Sequence, residues 1–352
     1  MTRRKMNVQA NTTPILLILC TCWLLIRSDT TEASAYDALK MCASVIIPSL
    51  FPYMVISSLL VQTGASDWIG QWLARPVEIL FRLPGCTAGA IVLGALCGFP
   101  VGAKTACQLY ERGSVTKREC ERLIAIANNT GPSFVVEVVG AHFWGSRGMG
   151  WIIYVAQILS ACVLGCIISR KETKPADKQT IPDTRCDMLQ SFASSVTQSA
   201  RSVVSVCGFI LFFAVVISLI GQITETLSLP FAAPVLGAVL EFSAGAATAS
   251  QLGGIWGAFL TGFTVSWSGI SVFAQCKTFT TPHGISLRPT AISKALQGLI
   301  TGSAAAAYYA LWFTPSVAAS TAIPQTDIST VFVAAEFIIL ALASLQIPRR
   351  NT

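Results

Sequence analysis

Four ionisable residues stand inside otherwise apolar stretches of the sequence: Lys104, Glu137, Glu241 and Lys294. A charge at the centre of a bilayer costs about 2.5–3.5 kcal/mol on insertion scales, so each residue needs a partner or water. Glu241 is a candidate for binding a coupling proton or sodium ion, and the alternative is a fixed internal pair of Glu241 with Lys294. Lys104 could bind an anion or only steer it, and Glu137 could lie at the membrane interface without a role.

Two segments close to these charges are copies of one unit. Residues 94–109 (GALCGFPVGAKTACQL) and 237–252 (GAVLEFSAGAATASQL) match at nine of sixteen positions. Small residues break each copy inside a stretch long enough to enter a bilayer, and such breaks are tolerated only where the backbone is buried in protein or lines a cavity. Paired broken segments in two halves of a chain are typical of a transporter's substrate site.

Polar residues also interrupt the apolar stretch that follows each copy, at Asn128–Pro132 and within residues 263–275. A proline removes a backbone donor, and the helix N-termini exposed at a break offer N–H groups and partial positive charge to an anion. The alternative is that these small and polar residues only pack helices together. The predicted substrate-binding residues are Gly98, Phe99, Gly102, Lys104, Asn128, Asn129, Gly131, Ser243, Gly245, Ser268, Gly269, Ser271 and Gln275, with Glu241 and Lys294 as ion-coupling residues.

The composition is that of a membrane protein. The chain is 53% hydrophobic and 12% charged, about half the charged fraction of a soluble domain, and its mean hydropathy is +0.63. A length of 352 residues suits a bundle of about eight membrane segments. The net charge of +7 does not indicate a nucleic-acid partner, because the basic residues fall in loops between apolar stretches.

Sequence motifs for catalysis or metal binding are missing. The sequence has no nucleophile elbow, P-loop, HExxH motif or carboxylate pair, and its twelve cysteines have no zinc or disulfide spacing. His142 and His283 are predicted in loops. We therefore expect no enzyme, cofactor or metal site. The expected partners are the lipid bilayer, a small organic anion and a coupling proton or sodium ion, with homo-oligomer formation left open.

The same order of elements is predicted in two halves. Residues 13–26 form a predicted anchor, with a cleaved signal peptide as the alternative because Ala33-Ser34-Ala35 has the form of a cleavage site. The predicted regions are an N-terminal anchor and connector at 1–40, a first gate-type membrane repeat at 41–169, a cytoplasmic linker at 170–198, a second gate-type membrane repeat at 199–346 and a basic C-terminal tail at 347–352.

Loop charges predict the orientation. If each copy is a re-entrant hairpin, the basic segments Lys104–Arg122 and Arg170–Arg185 both lie in the cytoplasm with the two termini, whereas full spans would put Lys104–Arg122 outside. The predicted fold class is an all-α polytopic membrane protein. It has two inverted-topology repeats, each with a re-entrant helical hairpin and a broken transmembrane helix.

Several motifs carry a family resemblance over about residues 40–315. The stretch GFPVGAK, the Gly-x-Val-Thr-x-x-Glu turn at Gly113–Glu119 and ERL…NNTGP occur in the first half, and FTVSWSGISVFAQ followed by SKALQGL occurs in the second. With these motifs the chain resembles the YlbJ-type sporulation integral membrane proteins of the gate, or nucleoside-recognition, domain group. Relatives in that group include concentrative nucleoside transporters and the membrane part of ferrous-iron permeases.

The resemblance implies a sporulation protein in the outer forespore membrane that is linked to delivery of dipicolinic acid. A secondary carrier of this small organic anion is the function expected first. The alternative is a non-transporting gate or assembly component of a sporulation membrane complex, and a membrane-embedded enzyme is disfavoured because the sequence has no acid–base or nucleophile constellation.

Cysteine labelling tests the predicted orientation. Single cysteines placed at Ser114 or Gln179 should react with a membrane-impermeant thiol reagent only from the cytoplasmic side, because both positions lie in basic loops. Reaction from the opposite side would contradict the topology.

Overall fold

The computed structural model describes residues 21–63, 65–170, 187–229 and 231–312, with Pro14, Ile18 and Glu172 as isolated additions. Within these ranges the chain is helical, with no strand, so the all-α prediction is confirmed. The predicted last span at 329–345, the tail at 347–352 and most of the loop at 170–186 lie outside the described residues. The first part of the predicted anchor at 13–26 does too.

The described residues of the first half form seven α-helices. They are α1 (Ser28–Met41), α2 (Ile47–Gln62), α3 (Ala65–Phe81), α4 (Ala88–Cys97), α5 (Val101–Glu111), α6 (Lys117–Ala127) and α7 (Arg147–Ser169). A π-helical segment, Cys42–Ile46, joins α1 to α2, and a longer π-helix, Ser133–Phe143, lies between α6 and α7. His142 lies in the last turn of that π-helix, so its predicted loop position was wrong.

In the second half, six α-helices lie within the described residues. They are α8 (Met188–Thr226), α9 (Ala232–Leu240), α10 (Phe242–Leu252), α11 (Gly254–Trp267), α12 (Gly269–Thr280) and α13 (Arg288–Trp312). α8 begins inside the predicted linker at 170–198, where Asp187 caps it by accepting a hydrogen bond from the Leu189 N–H at 3.1 Å.

The basic segment Lys104–Arg122 was predicted as a loop but is helical over most of its length. It forms the C-terminal part of α5 and the start of α6, joined by a short turn. The Gly-x-Val-Thr-x-x-Glu motif makes that turn: Thr116 and Glu119 form a capping box, with the Thr116 N–H donating to the Glu119 carboxylate at 2.7 Å. The motif is therefore a helix-start signal.

Three helical stretches are long and apolar enough to cross a bilayer: Arg147–Ser169, Met188–Thr226 and Gly254–His283. A bent pair, Trp72–Phe81 with Gly85–Cys97, would add a fourth, and its two helices meet at 106°. The length and composition of these described helices confirm a membrane protein with several spans.

Both repeat copies break at matching positions. In the first copy α4 ends at Cys97 and α5 starts at Val101; in the second, α9 ends at Leu240 and α10 starts at Phe242. Gly98 takes a φ of +77°, a conformation that favours glycine. The second copy has Glu241 at the position of Gly98, and Glu241 breaks the helix with an extended backbone.

The two interrupted stretches also break as predicted. Residues Asn128–Pro132 separate α6 from the π-helix. In the second half, Ser268 and Gly269 have φ values of +76° and +78° and separate α11 from α12. The two halves thus have the same order of elements, in which a broken repeat copy is followed by a broken helix.

Helix α13 packs against α11 through glycine. A Cβ on Gly262 would lie 2.8 Å from the Thr301 carbonyl oxygen, and a Cβ on Gly302 would lie 2.7 Å from the Phe259 carbonyl oxygen. Small residues let membrane helices approach this closely. The small-residue stretch in α13 is therefore a packing surface.

Gly102 and Gly245 have the same kind of role. A Cβ on Gly102 would lie 2.3 Å from the Ala127 carbonyl oxygen, and a Cβ on Gly245 would lie 2.5 Å from the Gly237 carbonyl oxygen. These contacts are between backbones, which supports the packing alternative for the two residues. Any substrate contact that they also make remains a prediction.

Replacing these glycines should destabilise the protein. We expect Gly245→Ala and Gly102→Ala to lower the free energy of unfolding by about 1–3 kcal/mol, because an overpacked core must shift its backbone. Gly208→Ala in α8 is the matched control, since nothing lies within 4 Å of its Cβ position. Thermal unfolding in detergent measures the three variants, and equal midpoints for all of them would contradict the packing role.

Candidate functional site

The breaks of the two repeat copies meet in the interior. Phe99 and Phe242, which occupy equivalent positions, pack edge to face with ring centroids 4.7 Å apart. Phe134 of the π-helix packs on Phe242 at 4.9 Å. All three side chains are buried, so the two repeat copies contact each other at their breaks.

In each half, the broken copy lies against the interrupted helix that follows it. A Cβ on Gly98 would lie 2.6 Å from the Gly131 nitrogen, and a Cβ on Gly269 would lie 2.9 Å from the Glu241 Cα. The predicted residues Gly98 and Gly131 are therefore neighbours, as are Glu241 and Gly269. These close contacts require glycine on one side of each pair.

The halves also exchange contacts in a reciprocal way. Helix α5 of the first half packs on α12 of the second, and α10 of the second half packs on the π-helix of the first. In both cases the second helix of a repeat copy contacts the second part of the other half's interrupted helix. The two repeat copies and the two interrupted helices therefore pack against one another in the interior.

A buried polar network holds the first interruption open. The Asn129 Oδ1 atom accepts hydrogen bonds from Lys294 Nζ at 2.8 Å and from Gln297 Nε2 at 2.9 Å. Lys294 Nζ also donates to Gln297 Oε1 at 2.7 Å. Lys294 is only 1% exposed, so two amide oxygens replace water as the hydrogen-bond partners of its Nζ atom.

The network continues through two more side chains. Gln297 Nε2 donates to the Gln157 carbonyl at 2.7 Å, and Gln157 Nε2 donates to the Thr130 carbonyl at 2.9 Å. Thr130 Oγ1 then donates to the carbonyl of Val265 at 2.6 Å, close to the C-terminus of α11. The network therefore joins the Asn128–Pro132 break to α7, α11 and α13.

Glu241 belongs to a separate group of contacts. Its Oε2 accepts from the N–H and hydroxyl of Ser243 at 2.9 and 2.6 Å and from the Ala244 N–H at 2.7 Å. This carboxylate caps α10, where the helix dipole favours a negative charge. Among the described residues no ion pair joins Glu241 to Lys294, so the alternative of a fixed pair is wrong. The Glu241 side chain is fully buried and its Oε1 has no partner in this part of the chain.

The remaining predicted polar residues lie near the second interruption. Asn128 Nδ2 contacts Cys276 Sγ at 3.5 Å, and Ser268 Oγ donates to the Ser266 carbonyl at 3.3 Å. Asn128 Oδ1, Ser271 Oγ and both amide atoms of Gln275 have no hydrogen-bond partner among the described residues. Buried polar atoms are normally satisfied, so these residues are places for water, an ion or a ligand.

Glu137 lies away from this centre. It pairs with Arg147 at 3.2 Å, and half of the Arg147 side chain is exposed. The structure therefore agrees with the alternative in which Glu137 sits near the surface.

Two adjoining cavities form one cleft, which we call the basic cleft. The cavities have volumes of about 410 and 220 Å³, and both are lined by Arg201, Ser202, Thr278 and Phe279. The larger cavity is also lined by Lys104 and His283, and the smaller one reaches Pro100 and Gln275. The cleft therefore leads to the break in the first repeat copy.

Arg201 is a site residue that sequence reasoning missed. The sequence places it just before the apolar run that begins at Val203, and an isolated arginine in QSARSVVSV was the one available signal. Gln157 and Gln297 were missed too, because only the fold brings them to Thr130 and Asn129. His283, predicted in a loop, lies in a 3-10 turn and contacts Glu111 at 2.8 Å.

The chain is similar in sequence to a known sporulation protein. The chain is 26% identical to sporulation integral membrane protein YlbJ of Bacillus subtilis (strain 168), over 86% of this chain and 84% of that protein. The resemblance to the YlbJ-type family is confirmed. No family model matches the chain, and no solved structure matches it. Its place in the wider gate, or nucleoside-recognition, group stays a prediction.

Two findings indicate where the protein is located: its similarity to YlbJ and the apolar helices of the described segments. The chain is an integral membrane protein with several spans. The buried polar network and the basic cleft therefore belong to a membrane protein, in which unpaired polar groups inside the bilayer are costly.

Removing one hydroxyl tests the network. Thr130→Val should lower the free energy of unfolding by about 1–3 kcal/mol, because the Val265 carbonyl loses its donor in a buried place. Thr264→Val is the matched control, since that hydroxyl donates to the Leu260 carbonyl within its own helix. Thermal unfolding midpoints compare the two, and an equal loss for both variants would contradict a special role for the link between Thr130 and Val265.

Proposed function

We propose that the chain is a secondary carrier of a small organic anion in a sporulating bacterium. The observation that supports this most is the basic cleft. It is lined by Lys104 and Arg201, and it reaches the break in the first repeat copy at Pro100. The name of the relative from Bacillus subtilis supports a role in sporulation. The family resemblance suggests dipicolinic acid as the substrate and the outer forespore membrane as the location. The loop charges favour a topology with both termini in the cytoplasm.

The charge balance of the cleft favours an anion. Within the described part of the chain, neither Lys104 nor Arg201 has an acidic partner, whereas the one acid that lines the cleft, Glu111, contacts His283 at 2.8 Å. Unpaired cations in a cleft raise the local concentration of anions. The larger cavity, of about 410 Å³, falls within the usual range of ligand sites, ~300–1,000 Å³.

The helix lengths support re-entrant hairpins. α4 and α5 have 10 and 11 residues, and α9 and α10 have 9 and 11. At 1.5 Å per residue each is about 14–17 Å long, roughly half of a ~30 Å hydrocarbon core. Each pair is therefore suited to enter the membrane and turn back at its break.

The reciprocal contacts support inverted repeats. Packing of α5 on α12 and of α10 on the π-helix is the pattern that a pseudo-two-fold axis would produce. In inverted-repeat carriers such an axis lies in the membrane plane and the substrate site lies at the repeat interface. The breaks that meet at Phe99 and Phe242 occupy that interface in this proposal.

Glu241 is the residue we propose for ion coupling. Its buried Oε1 atom has no hydrogen-bond partner in the described residues, so a proton or a sodium ion can be added there without displacing an existing contact. Lys294 acts in this proposal through the network with Asn129, as the buried charge that the substrate centre is built around.

Transport by purified protein tests the proposal. Proteoliposomes should take up labelled dipicolinate, and Lys104→Met should raise KM about tenfold or more, since charge-assisted hydrogen bonds contribute ~1.5–3 kcal/mol. Lys104→Arg keeps the charge with another head shape and should retain part of the activity. Lys117→Met, an exposed lysine that does not line the cleft, is the control.

The assay also separates the two functions. Uptake by the native protein with a selective loss in Lys104→Met supports a carrier of anions. A correctly inserted protein that moves no dipicolinate under a proton or sodium gradient would overturn the carrier proposal and favour a non-transporting gate or assembly component.

A further inference from the structure

The smaller cavity of the basic cleft, about 220 Å³ in volume, is built from two kinds of surface. Pro100, Val206 and Phe279 give it an apolar wall, and Arg201 and Gln275 lie on the polar side. Three hydroxyl side chains complete the polar side: Ser202, Ser205 and Thr278. A lining that combines apolar side chains with a cation and several hydrogen-bond donors suits a flat ring that carries a negative group.

Two of these polar groups lack partners. Arg201 has no ion pair with any described residue. Gln275 is 2% exposed, yet both atoms of its amide are without a hydrogen-bond partner in the described part of the chain. A carboxylate in the cavity would accept from both, because a guanidinium offers parallel N–H donors and the amide offers a third.

We infer that this cavity is a carboxylate subsite in which Arg201 and Gln275 bind one end of a planar dianion. Lys104, in the adjoining cavity, binds the carboxylate at the other end. The inference rests on the proposed carrier function and adds its selectivity, which is for dicarboxylates over monocarboxylates.

The two cations come from different halves of the chain. Lys104 lies on α5, next to the break in the first copy, and Arg201 lies on α8 of the second half. A dianion held at both ends therefore bridges the halves, whereas a monoanion engages one cation and leaves the other unpaired. The dianion therefore gains a charge-assisted hydrogen bond from each half, whereas the monoanion gains only one.

The preference for two charges is the quantity to measure. Competition of labelled dipicolinate with unlabelled dipicolinate or pyridine-2-carboxylate, on purified protein, should show the dicarboxylate binding at least about tenfold more tightly. Arg201→Gln should weaken dicarboxylate binding about tenfold and change monocarboxylate binding about twofold or less, so that the preference is lost. Arg201→Lys keeps the charge and should retain part of the preference.

Gln275→Leu gives a second, independent readout. A buried amide without partners is costly, so the apolar replacement of similar size should raise the unfolding midpoint while it weakens dicarboxylate binding severalfold. A purely structural glutamine would lose stability instead. Arg288→Gln, an exposed arginine outside both cavities, is the control for a general change in charge.

The outcomes separate the inference from the proposed function. If the native protein binds neither acid, the carrier proposal itself fails. If it binds dipicolinate but Arg201→Gln and Gln275→Leu keep the full dicarboxylate preference, the carrier proposal stands and the subsite is wrong.

Discussion

Backbone that breaks inside a membrane bundle must find its hydrogen bonds elsewhere, and this requirement shapes the centre of the molecule. At the first break, side chains supply what the helix no longer provides. Asn129 Nδ2 donates to the Ile126 carbonyl at 2.8 Å, and the Gln157 amide donates to the Thr130 carbonyl at 2.9 Å. Lys294 and Gln297 in turn fix Asn129 from α13. The break is thus held open by helices far apart in sequence, and the repeat copies pack against it.

The two repeat copies reach the same break by different chemistry. Gly98 bends the first copy through a positive φ, whereas Glu241 bends the second and uses its carboxylate to cap α10. A second difference lies further along the copies, where Lys104 is matched by Ala247. The halves therefore share a backbone plan but not a charge, with a cation near the first break and a buried acid at the second. Equivalent positions in the two repeat copies can therefore have different roles.

Helix breaks could be predicted well from the sequence, whereas hydrogen bonds between residues far apart in the chain could not. Gly98, Pro132 and Gly269 mark helix breaks through their own backbone preferences, so the breaks could be located without a structure. The bonds from Gln297 to Asn129 and from Thr130 to Val265 join residues more than a hundred positions apart, and no local pattern announces them. The alternative of a fixed pair of Glu241 with Lys294 is wrong, because opposite charge was its only guide. Lys294 instead donates to two amide oxygens, and one carboxylate oxygen of Glu241 caps α10.

The partners of Lys294 are amide oxygens and not a carboxylate, and this affects the electrostatic potential inside the bundle. A carboxylate beside Lys294 would cancel its charge, but Asn129 and Gln297 only solvate it. A protonated Lys294 therefore remains a source of positive potential in a medium of low dielectric constant, where charges act over longer distances than in water. Lys104 and Arg201 add to that potential from the cleft. In the proposed carrier, Lys104 and Arg201 in the cleft are therefore the charges that favour an anion, whereas the second break holds the buried acid Glu241.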